Sequence, residues 1–375
     1  MLGRLAAVGP TQRFLVAGGA GFIGSHLNER LLAEGHEVIA VDNFITGDWR
    51  NLAPFHDHPR FMFIAHDVVK PMHSLLALDW ILHFASPASP PKDRKHGLQT
   101  MRSNAEGTYR LLNLAHEHGA GFLLASTSEV YGDPSEHPQR ETYWGHVNPI
   151  GPRAVYDEGK RYAEALATSY HDSFGVAVRI VRIFNTYGPR MQRDDGRVVV
   201  NFIHQALAGR PLTIYGDGTQ TRSYQFIDDL VEGVLRSLEV DYTEPINLGN
   251  PQEHSVVHLA ELIRDLTGSS SPMEFHPQPK DDPRQRRPDI SLARSLLEWT
   301  PEVELASGLS ATIDHVRVLF ELGAGAARRK IAPRARPEAL EPVSAAALDG
   351  DRTKHPSRNG HARAWAGLAA GKKGA

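Results

Sequence analysis

A glycine-rich turn near the start of the chain constrains the fold more than any other feature of the sequence. The turn is Gly18-Gly-Ala-Gly21-Phe-Ile-Gly24, and it stands between a short apolar run, residues 14–17, and a helix-length segment, residues 22–34. Its GxxGxxG spacing is one residue wider between the first two glycines than the common GxGxxG pattern. A strand, a glycine turn and a helix in this order predict a dinucleotide site with the pyrophosphate at the helix N-terminus.

Each glycine of the turn has a separate role in such a site. Gly18 permits the tight turn, Gly21 lets the backbone approach a pyrophosphate, and Gly24 allows the helix to pack closely on the strand. The helix begins at Phe22 and Ile23, and a helix N-terminus carries free N–H groups and a partial positive charge. We therefore assign these five residues to cofactor binding.

The following strands end in side chains that suit a nicotinamide dinucleotide. Asp42 and Asn43 end the second strand; an acid there accepts hydrogen bonds from the adenosine ribose and repels a 2′-phosphate, which favours NAD over NADP. Asp67 and Val68 follow the third strand and are expected beside the adenine, with a plain strand-end acid as an equal alternative for Asp67. Ala85 ends the fourth strand, at the edge where open α/β sheets bind ligands.

Short apolar runs alternate with helix-length segments along the first half of the chain. Such alternation requires right-handed crossovers and predicts an α/β fold with a Rossmann-type, doubly wound parallel sheet. The predicted strands are 14–17, 37–41, 61–65, 80–85, 122–125 and 176–183, and the predicted helices are 22–34, 97–118 and 153–174. We expect an NAD-binding domain over residues 12–190, to which part of 225–250 returns, and a smaller C-terminal α/β substrate domain over 191–323.

A tyrosine and a lysine four residues apart form the candidate catalytic pair. Tyr156 and Lys160 fall on one face of a predicted helix, so the ammonium is expected near the phenol. A neighbouring cation stabilises a phenolate, and we expect it to lower the pKa of Tyr156 enough to make a base near neutral pH. Thr127, at the end of a predicted strand, is expected to hydrogen-bond the same substrate hydroxyl.

Three motifs together resemble the extended short-chain dehydrogenase/reductase family of sugar-nucleotide epimerases, dehydratases and decarboxylases. They are the glycine turn, the Tyr156–Lys160 pair and the segment STSEVYG at 126–132, and the resemblance covers about residues 12–322. Segments 85–91 (ASPASPP), 143–152 (YWGHVNPIGP) and 281–289 (DDPRQRRPD) resemble the UDP-glucuronate decarboxylase branch. Dehydratases of the family typically carry Thr-Asp-Glu where this chain, like the decarboxylases, has Thr-Ser-Glu.

The resemblance implies NAD-dependent oxidative decarboxylation of UDP-glucuronate to UDP-xylose. Tyr156 would take the proton of the sugar 4-hydroxyl while hydride leaves C4, and the resulting 4-keto group, β to the C6 carboxylate, permits the loss of carbon dioxide. Protonation at C5 and reduction at C4 follow, and NAD is regenerated. Arg286 is implied as donor or relay of the C5 proton, with Arg287 as the neighbouring alternative. The implied catalytic set is Tyr156, Lys160, Thr127, Ser128, Glu129 and Arg286.

Contacts to the sugar nucleotide are implied as well. Asn185 follows the last strong strand, where relatives contact the sugar diphosphate, and Arg222 can clamp phosphate oxygens through its planar fork. Tyr215 is a candidate to pack on the uracil, with a plain core position as the alternative. Pro87 and Ser89 lie in a proline-rich segment that is expected to cover the sugar.

Members of this family commonly pair through four helices, so the resemblance implies a homodimer built from segments 97–118 and 153–174. Asn104, on the first of these segments, resembles a family residue near the nicotinamide. Two alternatives stay open: a nucleotide-sugar 4,6-dehydratase or 4-epimerase on the same scaffold, and a non-catalytic NAD-binding regulatory protein. The presence of Tyr156, Lys160 and Glu129 argues against the second alternative.

Composition limits the remaining function classes. The 375 residues include no cysteine, which excludes disulfides and thiolate chemistry and fits a reducing, cytoplasmic location. No apolar stretch reaches the length of about 18 residues that predicts a membrane span, and the histidine spacings predict no metal site.

Charge is distributed unevenly along the chain. Residues 324–375 hold eleven Lys/Arg and four Asp/Glu, a balance of +7, so the net charge of −3 leaves a charge of −10 on the other residues. The acidic body argues against nucleic-acid binding, and the basic tail is predicted to be disordered.

Overall fold

Seven parallel strands form the central sheet, in the order β11-β6-β5-β4-β1-β2-β3. The computed structural model describes residues 10–74, 76–89, 92, 95–193, 195–277 and 285–328. The strands are β1 (Arg13–Ala17), β2 (Glu37–Asp42), β3 (Phe61–Ala65), β4 (Trp80–His83), β5 (Gly121–Thr127), β6 (Val178–Ile183), β7 (Thr186–Tyr187), β8 (Leu212–Tyr215), β9 (Thr221–Ser223), β10 (Gln225–Phe226), β11 (Pro245–Leu248), β12 (Glu253–Ser255) and β13 (Met273–His276). The predicted doubly wound parallel sheet is confirmed.

Helices cover both faces of this sheet. They are α1 (Phe22–Ala33), α2 (Gly97–Arg102), α3 (Thr108–His118), α4 (Ala154–Phe174), α5 (Val198–Leu207), α6 (Ile227–Glu239), α7 (Val256–Thr267), α8 (Ser291–Leu297) and α9 (Leu305–Arg328). A π-helical segment, Ser103–Gly107, joins α2 to α3 where a single helix over 97–118 was predicted. No helix in the described ranges combines the length and the apolar character that a bilayer span requires.

Alternate side chains of the central strands pack into two separate cores. In β1, Phe14 and Val16 join one apolar cluster, whereas Leu15 and Ala17 join the other. A parallel sheet buried on both faces needs strands that are apolar throughout, and the six-residue strand β2 shows this, with five of its residues buried. The central strands were recognisable from sequence for this reason, whereas the apolar strand β3, at the edge of the sheet, has three exposed residues among its five.

The order of the strands brings the candidate site residues to one edge. The sheet continues on opposite sides of β1, with β2 as one neighbour and β4 as the other, and Ala17 lies opposite both Val41 and His83. The chain crosses over between these two strands, and such a switch point opens a crevice at the carboxyl ends of the strands. Strand β4 ends at His83, two residues earlier than predicted, because the backbone of Phe84 and Ala85 leaves the sheet to pass close over Gly18.

Small two-stranded sheets and helices from the second half of the chain stand beside this edge. Strand β8 pairs with β13 and β9 with β12, while β11 returns to the large sheet next to β6. Residues up to 324 cluster as one compact unit. The predicted division near residue 190 therefore stays a prediction. The disordered tail was predicted over residues 324–375, but helix α9 continues to Arg328. The rest of that predicted tail lies outside the described residues.

Candidate active site

The glycine turn forms one wall of a cavity of about 130 Å³. A Cβ on Gly24 would lie 2.2 Å from the carbonyl oxygen of Gly18, and a Cβ on Gly18 would lie 2.7 Å from the backbone of Phe84. Helix α1 begins at the glycine N-cap Gly21, and residues 21–24 line the cavity. The close backbone packing and the open helix N-terminus fit the pyrophosphate of a dinucleotide.

Asp42 lines this cavity at the end of β2 and contacts the glycine turn. Its carboxylate accepts hydrogen bonds from the backbone N–H groups of Ala20 (3.0 Å) and Phe44 (2.8 Å). Burial raises the pKa of Asp42, and these two hydrogen bonds oppose the rise. Asn43 also lines the cavity, and its side chain accepts from the Ile45 N–H (3.1 Å). Asp42 therefore shapes the turn in addition to the ribose-binding role that remains predicted.

The other predicted cofactor residues take different positions. Val68 and Ala85 line the cavity, whereas the Asp67 carboxylate accepts from the side-chain amide of Gln99 at 3.0 Å. Asn104 is fully buried in the π-helical segment and donates to the Ser86 hydroxyl (3.1 Å), which lines the cavity. Asn104 thus reaches the cavity through Ser86. Further lining residues absent from our sequence-based assignment include Thr46, Ser86, Gln192 and Arg197.

A second cavity of about 540 Å³ adjoins the first, and Ile23, Ser86 and Arg197 line both. It collects predicted residues from five separate segments of the chain: Thr127, Ser128, Glu129, Tyr156, Lys160, Asn185, Tyr215, Arg222 and Arg286. Pro87 and Ser89, which were expected to cover the sugar, line the smaller cavity. Sequence spacing could not foresee this, because the turn after β4 first passes over the glycine loop.

The tyrosine–lysine pair lies in the wall of the larger cavity. The Lys160 ammonium is 5.9 Å from the centre of the Tyr156 ring and donates to the Ala125 carbonyl at 2.7 Å. Burial raises the pKa of Tyr156, which the Thr127 side-chain hydrogen bond opposes, and burial lowers the pKa of Lys160 to about 7. The expected lowering of the Tyr156 pKa is therefore not met in this structure, because desolvation outweighs the neighbouring cation.

Glu129 lies between two arginines in the lining of the same cavity. It forms ion pairs with Arg286 and, at 2.8 Å, with Arg153. Burial would raise the pKa of Glu129, but the charges and hydrogen bonds of the two arginines hold it at about 2. Arg286, whose side chain is 5% exposed, faces the cavity, whereas Arg287 is 41% exposed and stands 3.8 Å from Glu253. The structure thus distinguishes the two neighbouring arginines.

Arg153 was missed by our sequence-based assignment. It precedes α4, and its carbonyl accepts the N–H groups of Tyr156 and Asp157. The available signal was its place one helical turn before Tyr156, directly after the segment at 143–152 that carried part of the resemblance. A charged residue at a helix start is common on protein surfaces, so that signal is weak without the fold.

The remaining predicted substrate residues surround the outer part of the cavity. The side chain of Arg222, on β9, donates to the Thr221 carbonyl at 2.8 Å. Tyr215 ends β8 and is 48% exposed, which argues against a core position. Asn185 follows β6, and its carbonyl accepts from the Gln225 N–H. Within the described ranges, no group of three or more His, Asp or Glu side chains could hold a metal ion.

Comparison with known proteins agrees with this arrangement. Residues 14–249 match the model of the NAD dependent epimerase/dehydratase family. UDP-glucuronic acid decarboxylase 1 of Xenopus tropicalis is 53% identical over 310 residues, 83% of this chain and 73% of that relative. The crystal structure of UDP-glucose 4-epimerase with UDP-glucose from Thermotoga maritima superimposes with a TM-score of 0.76 at 29% identity, covering 82% of this chain and 99% of that one.

A second solved structure carries a uronic acid substrate. UDP-glucuronic acid 4-epimerase from Bacillus cereus, in complex with UDP-glucuronic acid and NAD, superimposes with a TM-score of 0.73 at 32% identity, covering 82% of this chain and 99% of that one. The matched region includes the glycine turn, the strand end at Thr127 and the Tyr156–Lys160 pair. The chain belongs to the NAD dependent epimerase/dehydratase family.

Proposed function

We propose that the protein is an NAD-dependent decarboxylase that converts UDP-glucuronate to UDP-xylose and carbon dioxide. The observation that carries the proposal is the cluster of Glu129 and two arginines, placed in the same cavity as Tyr156, Lys160 and Thr127. Relatives that are 53% identical to this chain over 305 to 310 residues are named UDP-glucuronic acid decarboxylases. The family likeness and the fit of the glycine-lined cavity support NAD as the cofactor.

Decarboxylation of a uronic acid needs a ketone at C4, directly next to C5, the carbon that bears the carboxylate. Oxidation at C4 creates this ketone, so the electron pair of the C5–C6 bond can pass into an enolate when carbon dioxide leaves. NAD supplies the hydride acceptor for the oxidation and, once reduced, the donor that restores the C4 hydroxyl. No external oxidant is consumed, because each cycle returns the cofactor to its starting state.

Tyr156, with Lys160 beside it, takes the proton of the C4 hydroxyl and later returns it. The raised pKa of Tyr156 keeps its phenol protonated in the substrate-free protein at neutral pH. Lys160, with a pKa of about 7, is poised to gain or lose a proton near neutrality and lies beside the tyrosine ring. Tyr156 acts as the base when its phenolate is stabilised by cationic charge, and Thr127 orients the hydroxyl.

Glu129, Ser128 and Arg286 serve the other end of the sugar. Ser128 is 2% exposed and Arg286 is 4% exposed, so both stand at the inner wall of the cavity. Glu129 is ionised over the whole neutral range because its pKa is held at about 2. It therefore accepts hydrogen bonds from a water or from Arg286. After carbon dioxide has left, Arg286 donates or relays the proton that C5 receives. Arg222, Tyr215 and Asn185 bind the nucleotide.

A product assay tests the proposal directly. The purified protein is incubated with UDP-glucuronate, and carbon dioxide and UDP-xylose are measured together. We expect equal amounts of both products with no net accumulation of NADH. Conversion of UDP-glucuronate to its C4 epimer without carbon dioxide, or turnover of UDP-glucose in its place, would contradict the proposal and assign an epimerase or dehydratase.

We further propose a homodimer in the cytoplasm. Large apolar side chains on α2, α3 and α4 are exposed, namely Leu98, Met101, Tyr109, Tyr162 and Phe174. An apolar patch of this kind suits a helix-to-helix interface between two copies. Sedimentation should give twice the mass of the chain, and Tyr162→Glu should lower the mass to that of one chain; a wild-type monomer would rule the dimer out.

The cytoplasmic location, supported by the lack of cysteine, is tested by cell fractionation.

We also propose that residues 191–323 form the substrate domain, apart from a part of 225–250 that belongs with the NAD-binding domain. Strand β11 supports this because it pairs with β6 in the central sheet. Tyr215 and Arg222, from the second half of the chain, line the larger cavity. Limited proteolysis of the purified protein should cut first near residue 190; uniform resistance there would argue for a single domain.

A further inference from the structure

An ion pair between α4 and β6 lies beside the candidate active site, and the proposed chemistry has not used it. The Glu164 carboxylate accepts hydrogen bonds from Arg182 through Nε at 2.9 Å and through Nη2 at 2.7 Å. The two side chains are 13% and 11% exposed, and neither lines the smaller or the larger cavity. Because desolvation offsets much of the attraction in a buried pair, stability alone does not account for this one.

This ion pair holds both ends of the segment that follows β5. At the first end, the Ser126 hydroxyl donates to the Glu164 carboxylate at 2.5 Å. At the second end, Arg182 donates to the Tyr131 hydroxyl at 3.0 Å, and its guanidinium lies 4.9 Å from the centre of the Tyr131 ring. Residues 127–130, which carry part of the proposed catalytic set, are therefore fixed from both sides by one ion pair.

Glu164 also lies next to the catalytic lysine. It follows Lys160 by one helical turn, so both side chains leave the same face of α4 and reach the end of β5. Lys160 donates to the Ala125 carbonyl at 2.7 Å, while Glu164 accepts from the next residue, Ser126. Burial lowers the pKa of Lys160 to about 7, and the charge of Glu164 opposes that effect. Glu164 therefore contacts the strand end and also favours the charged form of the lysine.

The titratable groups around Lys160 come from three elements. Tyr156 and Glu164 lie one turn to either side of it on α4, and Arg182, on β6, pairs with Glu164. His83 ends β4 and is fully buried; burial and the charge of Lys160 lower the pKa of His83 to about 3, so His83 stays neutral. The charged groups that act on the Tyr156 phenol are Glu129, Arg197 and Asp157. Among the described residues, Glu164 is the anion that acts on Lys160 itself.

We propose that Glu164 is a positioning residue for the pair of Tyr156 and Lys160. It keeps the Lys160 ammonium charged, and through Ser126 it fixes the strand end that carries Thr127. The inference rests on the proposed function for the roles of the tyrosine and the lysine. A lysine that loses its proton near neutral pH no longer stabilises the Tyr156 phenolate, so the tyrosine would stop acting as the base.

The first measurement is the titration of Lys160 in the NAD-containing protein. The carbon-13 chemical shift of the lysine Cε is followed against pH, and the signal is assigned by comparison with Lys160→Arg. We expect Glu164→Gln to move the midpoint of this titration downward by about one pH unit, because an attractive negative charge is lost while Arg182 stays. Glu164→Asp keeps the charge and should restore most of the wild-type midpoint.

The second measurement is the pH profile of kcat. In Glu164→Gln the alkaline fall of kcat should begin about one pH unit lower than in the wild type, because Lys160 loses its proton earlier. The KM for UDP-glucuronate should change less than about twofold, since neither member of the ion pair lines a cavity. A purely structural tie between α4 and β6 would instead lower kcat evenly at every pH.

Two further variants complete the design. Glu158→Gln removes the same charge from α4 at a side chain that is 33% exposed and lies 3.5 Å from Arg161, and it should leave the Lys160 midpoint unchanged. Glu164→Gln combined with Arg182→Gln leaves no unpaired guanidinium, so it keeps the test available if the single variant does not fold; its midpoint should move downward by a smaller amount. An unchanged midpoint in both Glu164→Gln proteins, or an equal shift in Glu158→Gln, would overturn the inference. The titration needs no turnover, so failure of the product assay would be recognised separately.

Discussion

The two adjoining cavities differ in what forms their most closely packed part. In the smaller one this is the backbone of the glycine turn, where Gly24 is in close contact with Gly18, and residues from other segments complete the lining. The larger one is shaped by charged side chains from distant segments, and Glu129 meets Arg286 across 157 positions of sequence. A site made of local backbone tolerates few changes at its glycines, whereas a site made of distant charges depends on the whole fold to keep its balance.

The largest effect is expected at the tyrosine in the lining of the larger cavity. Tyr156→Phe removes the phenol proposed to take the C4 proton but keeps the ring and its packing. The rate constant kcat should fall about 10³-fold, while the NAD content of the purified protein stays at the wild-type level. Steady-state kinetics and chromatographic measurement of bound cofactor give the two values.

Tyr170→Phe is the matched control, because Tyr170 lies on the same helix and donates to Asn113 outside the larger cavity lining. It should leave kcat unchanged within about twofold. An unchanged kcat in Tyr156→Phe would show that Tyr156 is not the base for the C4 hydroxyl.

What could be predicted from sequence follows the same division. The glycine turn, Asp42 and the Tyr156–Lys160 spacing depend on neighbours within one strand or helix, and each was recognisable locally. The ion pairs of Glu129 form only when β5, the start of α4 and the segment around Arg286 meet. Arg153 was therefore missed, and the choice between Arg286 and Arg287 needed the structure.

The pKa of Tyr156 shows a second limit of sequence reasoning. A spacing of four residues correctly places the Lys160 ammonium near the ring. It carries no information about burial, which here raises the pKa of the phenol and lowers that of the lysine. Electrostatic consequences depend on how much water both groups lose, and only the packed fold determines that.

The next largest effect concerns the charge balance of the larger cavity. Glu129→Gln leaves two buried arginines without their carboxylate and should lower the free energy of unfolding at pH 7 by about 3 kcal/mol. The low pKa of Glu129 contributes stability that is present above pH 4.5 and is lost as the pH falls toward 2. The difference between wild type and variant should therefore shrink across this window, as measured by urea unfolding at several pH values.

Glu34→Gln serves as the control for this pH series, because its ion pair with Arg30 is partly exposed. Its effect should stay below about 1 kcal/mol. A Glu129→Gln deficit that is constant from neutral to acid pH would show that packing, and not ionisation, stabilises the cluster.

A smaller effect is expected from the glycine turn. Gly24→Ala places a Cβ 2.2 Å from a backbone oxygen that has no side-chain freedom to retreat. The backbone must shift, at a cost of about 1–3 kcal/mol, and NAD binding should weaken, while the ion pairs of Glu129 are untouched. Gly97→Ala, whose Cβ would meet Val155 at an ordinary 3.6 Å, is the control. Equal NAD retention in both variants would contradict the close fit of the turn.

The smallest effect tests how much of the cofactor choice resides in one charge. Asp42→Asn keeps the shape of the side chain and an acceptor for one of the two backbone N–H groups, from Ala20 or Phe44. It removes the negative charge that is predicted to face the ribose. The preference for NAD over NADP should narrow about tenfold, as measured by competitive titration of the two cofactors. Asp48→Asn, at an acid paired with Arg50, should leave the ratio unchanged. An unchanged ratio of NAD to NADP affinity in Asp42→Asn would mean that the charge of Asp42 does not select the cofactor. Asp42 would then act only by holding the backbone of the turn, and the shape of that turn would determine which cofactor binds.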